Sequence, residues 1–483
     1  MSNSLPDLHS HLSQLAKPIL DSLLKTPYTP EEATKISTKS TLESLLSTKS
    51  SVKDFSLACA LLSSSRSSTH ELLAWIPSHL STAAEAAFSD LSKAYNDALP
   101  ADEKINLAGQ LMPEIVPVLK EKIKESSINK SDEEDEVSAA SARAPVGFAI
   151  LAAYQFRWFV SQVEYPNLGK MVNLVVPCAL TCLDHWSPEV KGQGMISFIH
   201  VAKNVNAPEL GWYGDVILDA CCQNIASSDE IWLYVVEMSV LLVTCIQGDN
   251  PRSSWFEKML NEMLSHLERQ PRNKERCIAW LQFIEPIFNA IGLVLLAHFR
   301  RIFPLFFRWM HVDDDETVLL VLKRVQTVIR LTWIRNTPYI DRLVDELIVL
   351  FKEAELRTAR DEIRTDILDI LIMLQQCKGQ QFETAWDKHK DDPDLTTLAC
   401  NLSSEPTLKE ESDTSCVAVL GFESKLMSFS CSSFLQFLNY RGFYLAPKIE
   451  EEVTGPKVKV KRKVERKPKM KIKPGRRLNR RGQ

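Results

Sequence analysis

With 483 residues, 45% of them apolar, and a formal charge of -5, the chain can bury an extensive core and shows no whole-chain excess of positive charge. Only 15 glycines are spread over that length, too few for a fold built on β-turns or phosphate-cradling loops, so the composition predicts an all-α protein. Eleven cysteines form no CxxC pair, and several sit inside apolar helical runs (Cys178 and Cys182, Cys245, Cys277), the pattern of small reduced hydrophobes in an intracellular protein rather than of a disulfide framework.

Residues 1–10 carry Pro6, Asp7 and His9 and no basic segment followed by an apolar one, so no signal peptide is expected. A helical stripe runs through Leu8, Leu12, Leu15, Ile19 and Leu23, bent at Pro18 and ended by the Thr/Pro-rich 26–30. Short amphipathic stretches separated by serine-rich joints such as 63–69 follow to about Asp97. Another stripe passes through Ile105, Ala108, Met112, Ile115, Leu119 and Ile123, where Pro113 and Pro117 predict bends or breaks. Residues 1–124 thus read as irregular N-terminal helical repeats, and 125–143, nearly devoid of apolar side chains and holding an acidic run after Ser131, as a flexible linker.

From Leu168 onward the apolar stripes recur, beginning near Leu168, Leu210, Trp255, Leu296 and Ile340, in steps of 42, 45, 41 and 44 residues. A period of about 40–47 residues with two helices per period is the mark of a HEAT or armadillo-type α-solenoid. The first helix of this series spans 168–183, bent at Pro177, and Ser187 with Pro188 restarts the chain as N-cap and first helical residue. Later pairs cover 210–225 with 231–246, 256–267 with 277–288, 293–310 with 318–329, and 340–351 with 363–374. Residues 144–378 are therefore expected to form regular HEAT-like repeats, 379–455 a poorly ordered region with capping elements, and 456–483 a basic disordered tail. Two apolar stretches fall short of a bilayer span, 231–246 because it is brief and holds Glu237, and 291–307 because His298, Arg300 and Arg301 interrupt it; no membrane is expected as a partner.

Residues 457–481 hold fourteen Lys or Arg against one acid, Glu465, so this segment carries +13 and leaves -18 for the rest of the chain. Lys459, Lys461, Arg462, Lys463, Arg466 and Lys467, with Arg476, Arg477, Arg480 and Arg481, read either as a nuclear-import or polyanion-binding arm or as a solvated tail that limits aggregation. Ser131, followed directly by acids, matches what an acidophilic kinase accepts; the alternative is a solvated acidic loop.

Catalysis would need convergent groups, and the motifs do not supply them. There is no Walker-type glycine loop and no GxSxG; His70-Glu-Leu-Leu-Ala lacks the second histidine of a zinc-binding HExxH. Gly192-Gln-Gly194 lies in a helical stripe, where it reads as helix packing. Asp184 and His185 close a helix at a turn and point in different directions. The run 313–316 of four acids lacks the ligand spacing and glycine of a calcium loop, and complements a helix dipole instead. No catalytic, cofactor or metal residue is assigned, no cofactor is expected, and the chain reads as a non-enzyme. The tryptophans 186, 212, 255, 280, 309 and 333 read mainly as core, with some as partner anchors.

One unit, Leu183-Asp-His-Trp-Ser-Pro-Glu-Val-Lys191 with Gly194, His200 and the segment from Leu210 to Ala220, resembles the HEAT-repeat family of the second Tel-two-interacting protein, the smallest subunit of the Triple T co-chaperone complex. The matching positions are Asp184, Val190, Lys191, Gly194, His200 and 216–218, and the similarity covers about 168–374. The resemblance implies a scaffold joining larger helical-repeat subunits of a co-chaperone complex. Through them it would support maturation and stability of phosphatidylinositol-3-kinase-related kinases with the heat-shock protein 90 machinery. The family carries no catalytic residues. The competing expectation is a nuclear transport or ribosome-assembly scaffold whose basic tail contacts RNA; both place the protein in cytoplasm and nucleus.

Overall fold

The computed structural model describes residues 9–29, 36–47, 51–97, 106–127, 144–334 and 338–404, all within one compact unit, 1–410. Ser131, the basic cluster from Lys459 to Arg481 and the unit 411–483 lie outside the described residues. Among the described residues there is no strand, and helices of eight or more residues follow one another. They are α1 (His9–Lys25), α2 (Thr38–Leu45), α3 (Val52–Ser64), α4 (Ser78–Asp97), α5 (Leu107–Glu125), α6 (Val146–Ser161), α7 (Val172–Leu183), α8 (Pro188–Asn204) and α9 (Gly214–Asn224). The series continues with α10 (Asp229–Gln247), α11 (Ser254–Arg269), α12 (Lys274–Phe283), α13 (Phe299–Trp309), α14 (Asp315–Thr332), α15 (Ile340–Glu353), α16 (Arg360–Trp386) and α17 (Thr396–Ser404).

From α5 onward the helices sort into two layers. The even helices stack in order, α6 on α8, α8 on α10, α10 on α12, α12 on α14 and α14 on α16; on the other side α5 meets α7, α7 meets α9, α9 meets α11 and α11 meets α13. Helices α5 and α6, α7 and α8, α9 and α10, α13 and α14, and α15 and α16 also pack pairwise. The even helices begin at residues 146, 188, 229, 274, 315 and 360, steps of 41–45 residues, so the chain has the HEAT/armadillo-like architecture its periodicity predicts. Because α5 packs against α6, the acidic segment 125–143 connects the two arms of one hairpin. The irregular N-terminal part joins the stack through α3, which packs on both α4 and α6.

The layering follows from side-chain distribution. An even helix has neighbours before, behind and beside it, and α6 and α10 are accordingly apolar nearly all round, with Ile150, Phe156 and Phe159 of α6 and Trp232, Val236 and Leu242 of α10 buried. The odd helices bury one stripe, as α11 does with Phe256, Met259, Leu260, Met263, Leu264 and Leu267. At the centre, the Trp280 ring lies 5.8 Å from Phe288, 5.9 Å from Trp309 and 6.4 Å from Phe306, so one side chain ties α12 to the short helix Glu285–Ile291 and to α13, both of which follow it in sequence. Gly194 of α8 is packed against α7 so tightly that a β-carbon there would meet Cys182 Cβ at 2.5 Å and the Ala179 carbonyl at 3.2 Å; Gly192-Gln-Gly194 is thus a packing feature.

Several boundaries differ from expectation. Helices α1 and α5 run through Pro18, and through Pro113 and Pro117, without a break; Pro113 and Pro117 face outward. The expected helix over 168–183 splits into a turn, Asn167–Lys170, and α7. Ser187 occupies the N-cap position with Pro188 next, yet its hydroxyl makes no capping bond. Leu210 ends a short helix, Ala207–Leu210, rather than opening one, because Gly211 turns the chain at φ 35°. Residues 292–298 form a 3-10 segment before α13. Helical structure also continues past Lys378, where regularity was expected to fade: α16 reaches Trp386 through a break at Gly379 (φ 32°), and α17 follows with Leu398 and Leu402 buried. Taken together, Glu285–Trp309 is long and apolar enough to cross a membrane by length and composition, but half of its most apolar window is packed inside the stack.

Two stability effects follow. Trp280→Ala should cost about 3–5 kcal/mol, whereas Trp280→Phe should cost far less, because the buried indole N–H has no partner to lose; denaturant unfolding of the three proteins gives the order. Gly194→Ala should destabilise by roughly 1–3 kcal/mol through overpacking, and hydrogen exchange should localise the loosening to α7 and α8.

Candidate protein-binding surface

The repeats are bolted together by a polar ladder. At the start of α10, Asp229 accepts from Arg276 Nε at 2.5 Å and from Asn273 Nδ2 at 3.0 Å, both one repeat later; Arg276, itself buried, also donates to the Ser227 carbonyl at 2.8 Å and lies 5.0 Å from the Trp232 ring centre. The pattern recurs at α14. Asp314 caps the helix through the Thr317 N–H (3.0 Å) and hydroxyl (2.6 Å) while accepting from Lys274 at 2.8 Å, and Asp315 accepts from Arg357 at 3.1 Å, the Thr358 hydroxyl at 2.5 Å and the Ala359 N–H at 2.9 Å. Asp314 and Asp315 are therefore spent on the helix N-terminus and on the neighbouring repeats. The Arg276 bond holds the Asp229 carboxyl below its ordinary range, and the Thr358 and Ala359 bonds do the same for Asp315. Burial opposes the shift at Asp314, but the Lys274 and Thr317 bonds still hold it low.

The residue pair that looked most like chemistry is also structural. His185 is 1% exposed; its Nδ1 accepts the Ser187 N–H at 3.0 Å and its Nε2 lies 3.0 Å from Ser126 Oγ at the end of α5. Trp186 stacks on it at 5.6 Å and donates its indole N–H to the Ser126 carbonyl at 3.2 Å. Asp184 takes no part in these bonds. Burial, reinforced by Lys191, pulls the imidazole down to about 4, so it is neutral at physiological pH. Burial likewise pushes the Cys277 thiol up to about 12 and holds Cys59 and Cys221 far above the thiol range, which leaves them unreactive. No group of three metal-ligating side chains occurs among the described residues.

Apolar side chains are left on the outside at particular places. Trp212, on the 3-10 turn Gly211–Tyr213, is 99% exposed, and Val216 follows it one turn into α9, also exposed. Beside them the Trp255 indole donates to Asp215 at 3.0 Å, and Lys258, paired with Asp219 at 2.9 Å, sits 4.8 Å over the Trp255 ring. An exposed aromatic with polar groups nearby is the kind of anchor that protein interfaces use. A second outlying residue, Leu356, is 95% exposed at an open cleft lined by His311, Asp313, Asp315 and Glu353. Trp280 and Trp309 are core, as expected, whereas Trp212 is the tryptophan that periodicity could not assign. Its signal was local: glycines at 211 and 214 bracket it and take it out of any helical stripe.

These features define a helical-repeat protein of HEAT/armadillo-like build. It is 58% identical over 416 residues to the Arabidopsis thaliana uncharacterized protein At2g39910, a match covering 83% of this chain and 95% of the relative, and it belongs to that protein's family. No family model matches the chain. Among solved structures, importin beta aligns with 85% of the chain at 14% identity and a TM-score of 0.42, and Kap121p bound to Nup53p with 83% at 12% identity and 0.30. The chain spans about half of that importin beta and less than half of Kap121p, at 52% and 44% of their lengths.

The pH dependence of stability should report the His185 joint. Its folded-state value lies below the ordinary 6.5, so the folded protein binds fewer protons than the unfolded chain between the two. That contribution is complete above pH 6.5 and disappears as pH falls towards 4. Denaturant midpoints measured from pH 7 to 4 should therefore fall, and less steeply in His185→Gln; His266 and His298, also depressed by burial, keep part of the slope. A profile unchanged by the substitution would contradict the assignment.

Proposed function

We propose that the chain is a non-enzymatic scaffold that binds partner proteins along the edges and faces of its repeats. The observation that carries this reading is Trp212, fully exposed beside Val216 on a rigid turn, in a molecule whose catalytic-looking residues are consumed by repeat packing. The assembly we favour is a co-chaperone complex of the Triple T kind. The resemblance around Asp184, Val190, Lys191, Gly194 and His200 supports it, and other helical-repeat subunits would be the direct partners. Phosphatidylinositol-3-kinase-related kinases and the heat-shock protein 90 machinery would be engaged through those subunits.

The basic tail supports a second reading, a nuclear transport or ribosome-assembly scaffold, with the protein in both cytoplasm and nucleus. Here Lys459, Lys461, Arg462, Lys463, Arg466, Lys467, Arg476, Arg477, Arg480 and Arg481 would contact RNA phosphates or an import receptor, and Ser131 would be a regulated phosphosite.

Affinity purification of the tagged full chain followed by mass spectrometry separates the two. Helical-repeat co-chaperone subunits should co-purify, and Trp212→Ala combined with Val216→Asp should reduce their recovery by about tenfold or more at unchanged helicity, as loss of a central anchor does. Elution only as a free monomer would dismiss the complex-subunit reading. RNA binding, if it is the function, should weaken by a slope of roughly 0.7 per phosphate in log affinity against log salt and vanish on deleting 457–483, while protein binding by the repeats survives that deletion.

A further inference from the structure

Ser67 closes the 3-10 turn Ser65–Ser67 that follows α3, and its side chain is exposed. Its hydroxyl donates to the Ser64 carbonyl at 3.3 Å and accepts from Arg157 Nη2 at 2.9 Å, across the joint from α3 to α6. Arg157 is an unusual cation. It is half-buried, it lies 5.4 Å from the Tyr154 ring centre, and no described carboxylate is within ion-pair reach. Glu189, whose field it feels, is instead held by the Tyr154 hydroxyl at 2.5 Å and by Gln193 at 2.9 Å. Burial consequently pulls the Arg157 guanidinium below its ordinary range. A partly desolvated guanidinium whose hydrogen-bond partner is a neutral hydroxyl has room for a stronger, anionic acceptor. Arg66, next to Ser67 and exposed, is tied only to Glu85 at 3.5 Å, a pair weak enough to exchange.

We infer that Ser67 is a phosphorylation site whose phosphoryl group is clamped by Arg157 and Arg66. A protein kinase would transfer the γ-phosphoryl group of ATP: the bond from Ser67 Oγ to phosphorus forms, the bond from that phosphorus to the bridging oxygen of ADP breaks, and the hydroxyl proton passes to the kinase base. The product replaces a neutral acceptor with three terminal oxygens that share a charge of about -2 at the place where Arg157 already donates, and gives the guanidinium an anionic acceptor in place of a neutral one. Neighbouring serines do not offer this. Ser63, Ser64 and Ser65 are buried, and the Ser68 hydroxyl lies 2.5 Å from Tyr154 Oη, where a phosphate would be driven towards Glu189. The modification would therefore fasten the turn after α3 to α6, at the joint between the irregular and the regular repeats.

The test uses the full chain with phosphoserine encoded at position 67. Amide exchange in residues 65–70 and in α6 should slow by about tenfold relative to the unmodified chain, the factor one charge-assisted bond confers. Arg157→Gln should abolish that slowing, and Arg157→Lys, which keeps the charge but loses the fork, should retain part of it; the lysine variant also serves if the glutamine variant does not fold. Unchanged or faster exchange, or equal slowing in Arg157→Gln, would overturn the clamp. Phosphopeptide mapping of the chain isolated from its own cells under phosphatase inhibition should find the group on Ser67, and full coverage of that peptide without it would overturn the site.

Discussion

No helical pair in this molecule can cover its own apolar face; it must lean on the pair before and the pair after. Every other regularity derives from that constraint. It explains why α6 and α10 are apolar on nearly all sides while α11 and α15 bury a single stripe, and why the residues that join neighbouring repeats lie about 40 positions apart in sequence. It also explains where the buried charges went. Arg276 and Arg324 are both deeply buried, and both meet a carboxylate of the preceding repeat, Asp229 and Glu285 respectively, at 2.5 Å. A buried cation left without its partner would cost more than the pair returns, so each such contact fixes the register of one repeat on the next.

This accounts for what the sequence could and could not reveal. Burial writes itself into the chain as a stripe, so the helices carrying Phe256 to Leu267 or Ile340 to Phe351 were legible with their inward faces. The period was legible for the same reason. Where a helix stops was less so: Leu210 and the 292–298 segment continue the apolar pattern, and only the backbone turns at Gly211 and Gly292 break it. Prolines do not mark helix ends here, since Pro113 and Pro117 stand on the outer face of α5 without breaking it. The serine-rich joint 63–69 looked featureless, since Arg157, the cation that gives Ser67 its meaning, comes ninety positions later in another helix.

The candidate surface was partly legible. The acids of 313–316 were read as helix-dipole partners, which Asp314 is, but their second duty of holding Lys274 and Arg357 needed the three-dimensional stacking to appear. A scan at the repeat period would have found it, since an acid at the start of an even helix and a cation one repeat later occur twice, at Asp229 with Arg276 and at Asp315 with Arg357. The His185 joint shows the converse. A histidine beside an aspartate suggested chemistry in one dimension, yet the imidazole turns away from Asp184 to bond Ser126, 59 residues earlier, and becomes the seal between one hairpin and the next.

Interruptions of the stack put some of the apolar groups on the outer surface. The glycines at positive φ, 211, 292 and 379, each break a helical run. After Gly211 comes Trp212, and after Gly292 come Leu293 and Val294, all exposed, whereas Trp280 and Phe288, within regular helix, are wholly enclosed. An apolar side chain on the inward stripe of a helix is claimed by one neighbour or another. A glycine turn changes the direction of the chain, carries the next residue away from the hairpin beside it and frees it for a different molecule. The same architecture that consumes most large apolar residues thus leaves Trp212 available, and because its backbone is already fixed in a 3-10 turn, a partner that buries the indole has only the side-chain torsions to order.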